Sequence, residues 1–79
     1  MEADLYHYHL VMRPLHDFGN GDIYEGQWDA ELDVPSGRGV QIWADGSRYD
    51  GFWRMGRQNG YGRLVHAEGD VYEGMWEDD

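Results

Sequence analysis

GDIYEGQW, residues 21–28, returns as GSRYDGFW over residues 46–53 and again as GDVYEGMW over residues 69–76. The first interval is 25 residues and the second is 23. A pattern written three times in 79 residues specifies a repeated structural unit, whereas a catalytic site needs its residues only once. Within each copy Tyr, Gly and Trp stand at i, i+2 and i+4, which is one face of a β-strand and would be scattered around a helix. The three triplets are Tyr24-Gly26-Trp28, Tyr49-Gly51-Trp53 and Tyr72-Gly74-Trp76.

A second motif keeps step with the first. Gly37-Arg38-Gly39 recurs as Gly60-Tyr61-Gly62 after 23 residues, so the two extra residues of the first interval lie in DAELDVPS, residues 29–36. Pro35 marks that insertion as loop. Before each aromatic strand stands a turn signal, Asn20-Gly21, Asp45-Gly46 or Glu68-Gly69. Asn-Gly and Asp-Gly suit the tight hairpin turn whose two central residues both take positive φ. Ahead of the second and third turns lie VQIW (40–43) and RLVH (63–66), short runs of β-branched, apolar or aromatic residues bounded by glycine. Each unit therefore reads as a hairpin, and stacked hairpins give an antiparallel meander that lengthens by roughly 9.6 Å per repeat. Strand twist of about 20 to 25° would curl five or six such strands into a trough.

Composition sets the outer bounds. A chain this short buries only roughly 60% of the surface it exposes when unfolded, which leaves little room for an enclosed active site. With no cysteine there is neither a disulfide framework nor a thiolate metal site, which fits a reducing, cytoplasmic setting. Sixteen acidic residues against six arginines give a formal net charge of −10. That field repels nucleic acid and anionic membrane and favours a partner with a basic and apolar segment. Twelve glycines beside six tyrosines and four tryptophans are positional rather than flexible, because disordered chain is poor in aromatics.

YEGQW, YDGFW and YEGMW, with GRG and GYG between them and Asp-Gly or Glu-Gly turns ahead, resemble MORN repeats, the membrane occupation and recognition nexus family. The resemblance runs from about Gly19 to Trp76, and Gly56 matches the turn glycine that follows the family's tryptophan. It implies an all-β, repeat-built, single-layer twisted antiparallel sheet with structural glycines at Gly21, Gly26, Gly37, Gly39, Gly46, Gly51, Gly60, Gly62, Gly69 and Gly74. It also implies a scaffold or accessory segment in cytoskeletal, ciliary or membrane-junction assemblies, or beside lipid kinases and lysine methyltransferases. Phospholipid binding, which the family name asserts, is the alternative, with Arg38, Arg54, Arg57 and Arg63 as its basic patch.

Residues 19–79 then form an array of about three copies, the last incomplete. Residues 1–18 form an N-terminal cap strand or docking segment: Tyr6, Tyr8, Leu10 and Met12 alternate as a strand does, and Pro14 ends it. The third copy stops after Trp76 with no Gly-x-Gly strand beside it, which leaves either an exposed edge or a cut inside a longer protein, and homo-oligomerisation through an open edge is a further expectation.

For the site, the expected contact residues are aromatic (Tyr24, Trp28, Tyr49, Trp53, Tyr72 and Trp76) and acidic (Glu25, Asp50 and Glu73). The rings are first of all packing, and beyond that they are expected to offer a curved surface to a partner segment. The acids fall on the opposite face about 10 Å apart, either paired with an arginine of a neighbouring strand such as Arg48 or Arg63, or open to a basic partner. His7-x-His9 and His16 lack a fixed metal-ligand spacing and read as solvated or capping residues, so no metal and no cofactor are expected. Ser36 and Ser47 sit in turn-like sequence, and the glycine pairs lack the third glycine and helix of a phosphate cradle, so no enzyme is expected either.

Overall fold

The computed structural model describes residues 9–78. Six strands follow one another along the chain: β1 Leu10–Asp17, β2 Ile23–Asp29, β3 Val34–Ile42, β4 Arg48–Arg54, β5 Arg57–Val65 and β6 Val71–Trp76. They pair only with their sequence neighbours, all antiparallel, in one sheet of order β1-β2-β3-β4-β5-β6. The all-β meander of stacked hairpins expected from the repeat is therefore the fold.

Register places like on like. Gly39 lies between Gly26 and Gly51, and Gly62 between Gly51 and Gly74, so glycine pairs run across five strands. The Tyr24 ring lies over Gly39 and the Tyr49 ring over Gly62, where a Cβ would fall inside the ring's van der Waals surface. Both rings are wholly buried, and Trp28 and Trp53 are 6% exposed. They form the core, with Trp43, Leu64 and Trp76 packed against it.

The turns differ from the sequence expectation. In the turns before β4 and β6 the glycine alone takes positive φ, at +95° for Gly46 and +106° for Gly69. Gly46 N–H donates to Trp43 O at 2.9 Å and Trp43 N–H to Ser47 O at 2.9 Å. His66 and Gly69 repeat that closure. This is the three-residue loop in which a right-handed turn ends in one left-handed glycine, so Asp45 and Glu68 need no positive φ. The turn with two positive-φ residues is Met55-Gly56 between β4 and β5, at +51° and +83°.

Both prolines are also placed differently. Pro35 lies within β3 opposite Trp28, not in the loop, which is confined to residues 30–33. Its missing N–H is tolerated beside the register shift between Gly26 and Trp28, while its carbonyl accepts from Gly56 N–H at 2.8 Å. Pro14 does not end β1, which continues to Asp17 by a register shift between Arg13 and His16. An edge strand with an irregularity is where a sheet accommodates proline. Tyr6, Tyr8 and His7 lie outside the described residues.

The glycine positions are not equivalent energetically. Gly62→Ala should cost roughly 3 kcal/mol or more by overpacking against Tyr49. Gly74→Ala, whose Cβ would meet only Tyr72 Oη at 3.9 Å, should lie within about 0.5 kcal/mol of the parent. Urea denaturation of the two variants checks this, and equal losses would refute it.

Candidate functional site

Alternation gives the sheet two chemically different faces. On the aromatic face the repeat rings interlock edge to face in an unbroken series from Trp28 to Tyr24, Trp53, Tyr49, Trp76 and Tyr72. Centroids are 5.0–5.5 Å apart and interplanar angles 85–89°. Such contacts contribute about 0.5–1.5 kcal/mol each beyond the area they bury. The polar ends of Tyr24, Tyr49, Trp53 and Trp76 are satisfied inside the sheet. Tyr24 Oη donates to Gln27 O at 2.8 Å and Tyr49 Oη to Phe52 O at 3.0 Å, each at a register shift that leaves room for the phenol. Trp53 and Trp76 Nε1–H donate to Gly39 O and Gly62 O, both at 3.1 Å.

This corrects the expectation that all six rings are offered to a partner. Tyr24, Tyr49, Trp28 and Trp53 are consumed by packing, because each tyrosine lies across the glycine of the next strand and shields itself without a second layer. Ring surface remains at Tyr72, 55% exposed, and in part at Trp76.

The opposite face carries the acidic residues and an open groove of about 580 Å³ across β3–β6. Two of the three acids have an arginine at home. Asp50 pairs with Arg38 at 3.1 Å and Glu73 with Arg63 at 3.6 Å, while Glu25 is exposed. Tyr61 Oη also donates to Glu73, and that bond to the carboxylate holds its phenol above the usual tyrosine range. Of the expected basic patch, Arg38 and Arg63 line the groove, joined by Arg48. Arg54 and Arg57 instead face each other across the β4–β5 turn.

Three large groups on this face escaped the sequence reading: Phe52, Tyr61 and Met75, exposed by 45, 50 and 72%. Phe52 and Tyr61 line the groove, and Met75 is Tyr61's direct cross-strand neighbour. Their signal was present, since each fills the variable place in YDGFW, GYG or YEGMW, which alternation turns away from the aromatic side.

The residues weighed for chemistry hold structure. Ser36 Oγ accepts from Met55 N–H at 3.0 Å, and Ser47 Oγ from Ala67 N–H at 3.1 Å. His16 packs edge-on against Trp28 and Phe18, with centroids 5.3 and 4.6 Å away. No group of three or more potential metal ligands occurs among the described residues.

The MORN repeat family model matches residues 24–48 and 49–71. The chain belongs to the MORN repeat family. Each matched MORN copy starts at its tyrosine and comprises a Tyr-Gly-Trp strand, a Gly-x-Gly strand and the turn that follows. Tyr72 to Trp76 lies just past the second MORN copy. A protein of Oryza sativa subsp. japonica, phosphatidylinositol 4-phosphate 5-kinase 1, is 41% identical over 59 residues, covering 71% of this chain. The chain spans 7% of that kinase's length.

Burial gives the MORN core a pH signature. Desolvation pushes Tyr24 far above the usual tyrosine range and raises Tyr49 as well. Folding therefore favours the neutral phenols, so their contribution is full below the unfolded value of about 10 and is lost as pH rises beyond it. Stability should be flat near neutrality with respect to these groups and then fall above about pH 10, by up to about 1.4 kcal/mol per pH unit for Tyr24. Urea titrations at stepped alkaline pH should show that slope in the parent and a shallower one in Tyr24→Phe. Identical slopes would refute it.

Proposed function

We propose that these residues are a protein-docking MORN module whose contact surface is the outward face of β4–β6. One observation carries the reading: Phe52 and Tyr61 stand exposed in an open groove, with Met75 beside Tyr61, and four of the groove's five charges are matched in the Arg38–Asp50 and Arg63–Glu73 pairs. Aromatic and methionine side chains over a preformed sheet suit an apolar segment of another protein. Exposed Glu25 and the net charge of −10 favour basic residues flanking that segment. The proposed setting is cytoplasmic, in cytoskeletal or membrane-associated assemblies, and the module itself supplies attachment rather than chemistry.

A phosphoinositide surface is the second reading. It is supported by Arg48 in the groove and by the name of the rice relative, and opposed by the overall charge and by the acids beside Arg38 and Arg63.

The test is capture from lysate on the parent domain and on Phe52→Ala/Met75→Ala, both shown folded by circular dichroism, with phosphatidylinositol 4-phosphate liposomes in parallel at low and high salt. Specific proteins retained by the parent should fall at least tenfold on the variant and persist at high salt. Retention of liposomes alone, lost with salt, would move the function to the lipid headgroup.

A further inference from the structure

The aromatic face is not uniform along the array. An open cavity of about 460 Å³ is lined there by Trp43, Asp45, Ser47, Gln58, Leu64 and His66. None of the six is a shared tyrosine, glycine or tryptophan of the repeat motif. Aligning residues 37–46 with 60–69 sets Gln41 against Leu64, Trp43 against His66 and Asp45 against Glu68. Tyr49 therefore has a glutamine opposite it on β3 and a leucine opposite it on β5. The cavity is built from the positions at which the copies differ, so it belongs to this junction of this chain rather than to the repeat.

We propose that this cavity receives an arginine side chain of a partner protein, with its stem against Trp43 and Leu64 and its guanidinium at the Asp45 carboxylate.

The wall chemistry defines the occupant. Trp43 and Leu64 pack against the ring core from its margin and offer apolar surface, which suits a methylene stem. An indole beside a carboxylate suits a planar guanidinium, which stacks on aromatic rings and forks onto carboxylates. Asp45 is exposed and has no ion pair among the described residues, whereas Asp33, Asp50 and Glu73 each have an arginine. Its Oδ1 accepts from Ser47 N–H at 2.8 Å, which fixes the group and holds it ionised, and a carboxylate has further acceptor sites for a guanidinium. No arginine of the chain lines the cavity, and the net charge of −10 draws cations towards it.

This site lies on the opposite side of the sheet from the groove of Phe52 and Tyr61, so it stands whether or not that groove docks a protein.

The probe is N-acetyl-arginine N-methylamide, titrated at about pH 7.5 into the isotope-labelled domain, with the citrulline compound as its uncharged isostere. The arginine compound should give saturable shifts at the Trp43 indole N–H and the amides of Ser47 and Leu64, and the citrulline compound should bind at least about fivefold more weakly. Asp45→Asn keeps an acceptor for Ser47 N–H and should remove that preference. Leu64→Gln, which writes the residue of the preceding copy, should weaken the arginine compound by about fivefold or more. Both variants are first shown to keep the amide spectrum of the parent fold. Absence of shifts at about 10 mM, equal affinity of the two compounds for the parent, an undiminished preference in Asp45→Asn or undiminished binding by Leu64→Gln would overturn the proposal.

Discussion

The structure depends on one close approach: a tyrosine ring laid across a glycine on the neighbouring strand. At the Gly51–Gly62 pair there is no room for a Cβ on either strand, and Tyr49 Oη sits 2.8 Å from where one would stand on Gly51. Everything else on the aromatic face follows from that contact. The ring lies flat enough to be buried in a sheet that has no second layer, and its edge meets the next tryptophan. That indole turns its N–H to the glycine carbonyl below. A large aromatic buries about 150–250 Å², so at about 25 cal/mol per Å² each ring is worth roughly 4–6 kcal/mol as an upper bound. Supplied four times in the buried core, this replaces the sheet-on-sheet or helix-on-sheet packing that a small β protein otherwise needs.

Much of this was legible in the letters. Tyr-x-Gly-x-Trp at period two specified a strand with all three residues on one side, and the interval between copies specified hairpins in register. What the letters did not carry was whether the aromatic face was open. A strand pattern tells which side chains share a face and is silent on what covers that face, and in a single layer the natural inference is an exposed surface. The glycines carried the missing information only in combination, since Gly39 matters because Tyr24 lies two residues away from its partner Gly26. The prolines misled for a related reason. Pro14 and Pro35 are barred from regular pairing, but both fall where the ladder is already irregular, and strand irregularity leaves no mark in a single sequence.

Electrostatics divide along the same lines. The expected acidic row exists, but Asp50 and Glu73 have arginines beside them, and exposed pairs of this kind add about 0–1 kcal/mol each. Several other carboxylates serve as fasteners of the turns. Asp45 accepts from Ser47 N–H, a bond that holds its carboxyl below the usual range. Asp22 reaches the next turn at Ala44 N–H, 2.8 Å away, and Ser47 reaches the turn after that at Ala67. Successive turns are thus tied along one end of the sheet while the rings tie its face. The acidic composition is thus in part the means by which one hairpin registers on another.

The two ends of the ring series differ in how they treat its rule. At β1 the strand shifts register at Pro14, just where a carbonyl would meet the Trp28 indole as Gly39 and Gly62 meet Trp53 and Trp76. Trp28 Nε1 is buried with no hydrogen-bond partner among the described residues, a state that costs about 1–3 kcal/mol. Arg13 over its ring at 5.1 Å, itself bonded to Asp33, and the edge of His16 offset part of that cost and seal the ring from water. Here Arg13 stands opposite Gly26, where the later strands carry glycine. At β6 the pattern is intact, with tyrosine, glycine and tryptophan in place and the Trp76 indole N–H donated to Gly62 O. Among the described strands, β1 thus departs from the repeat at the Trp28 indole, whereas β6 keeps it.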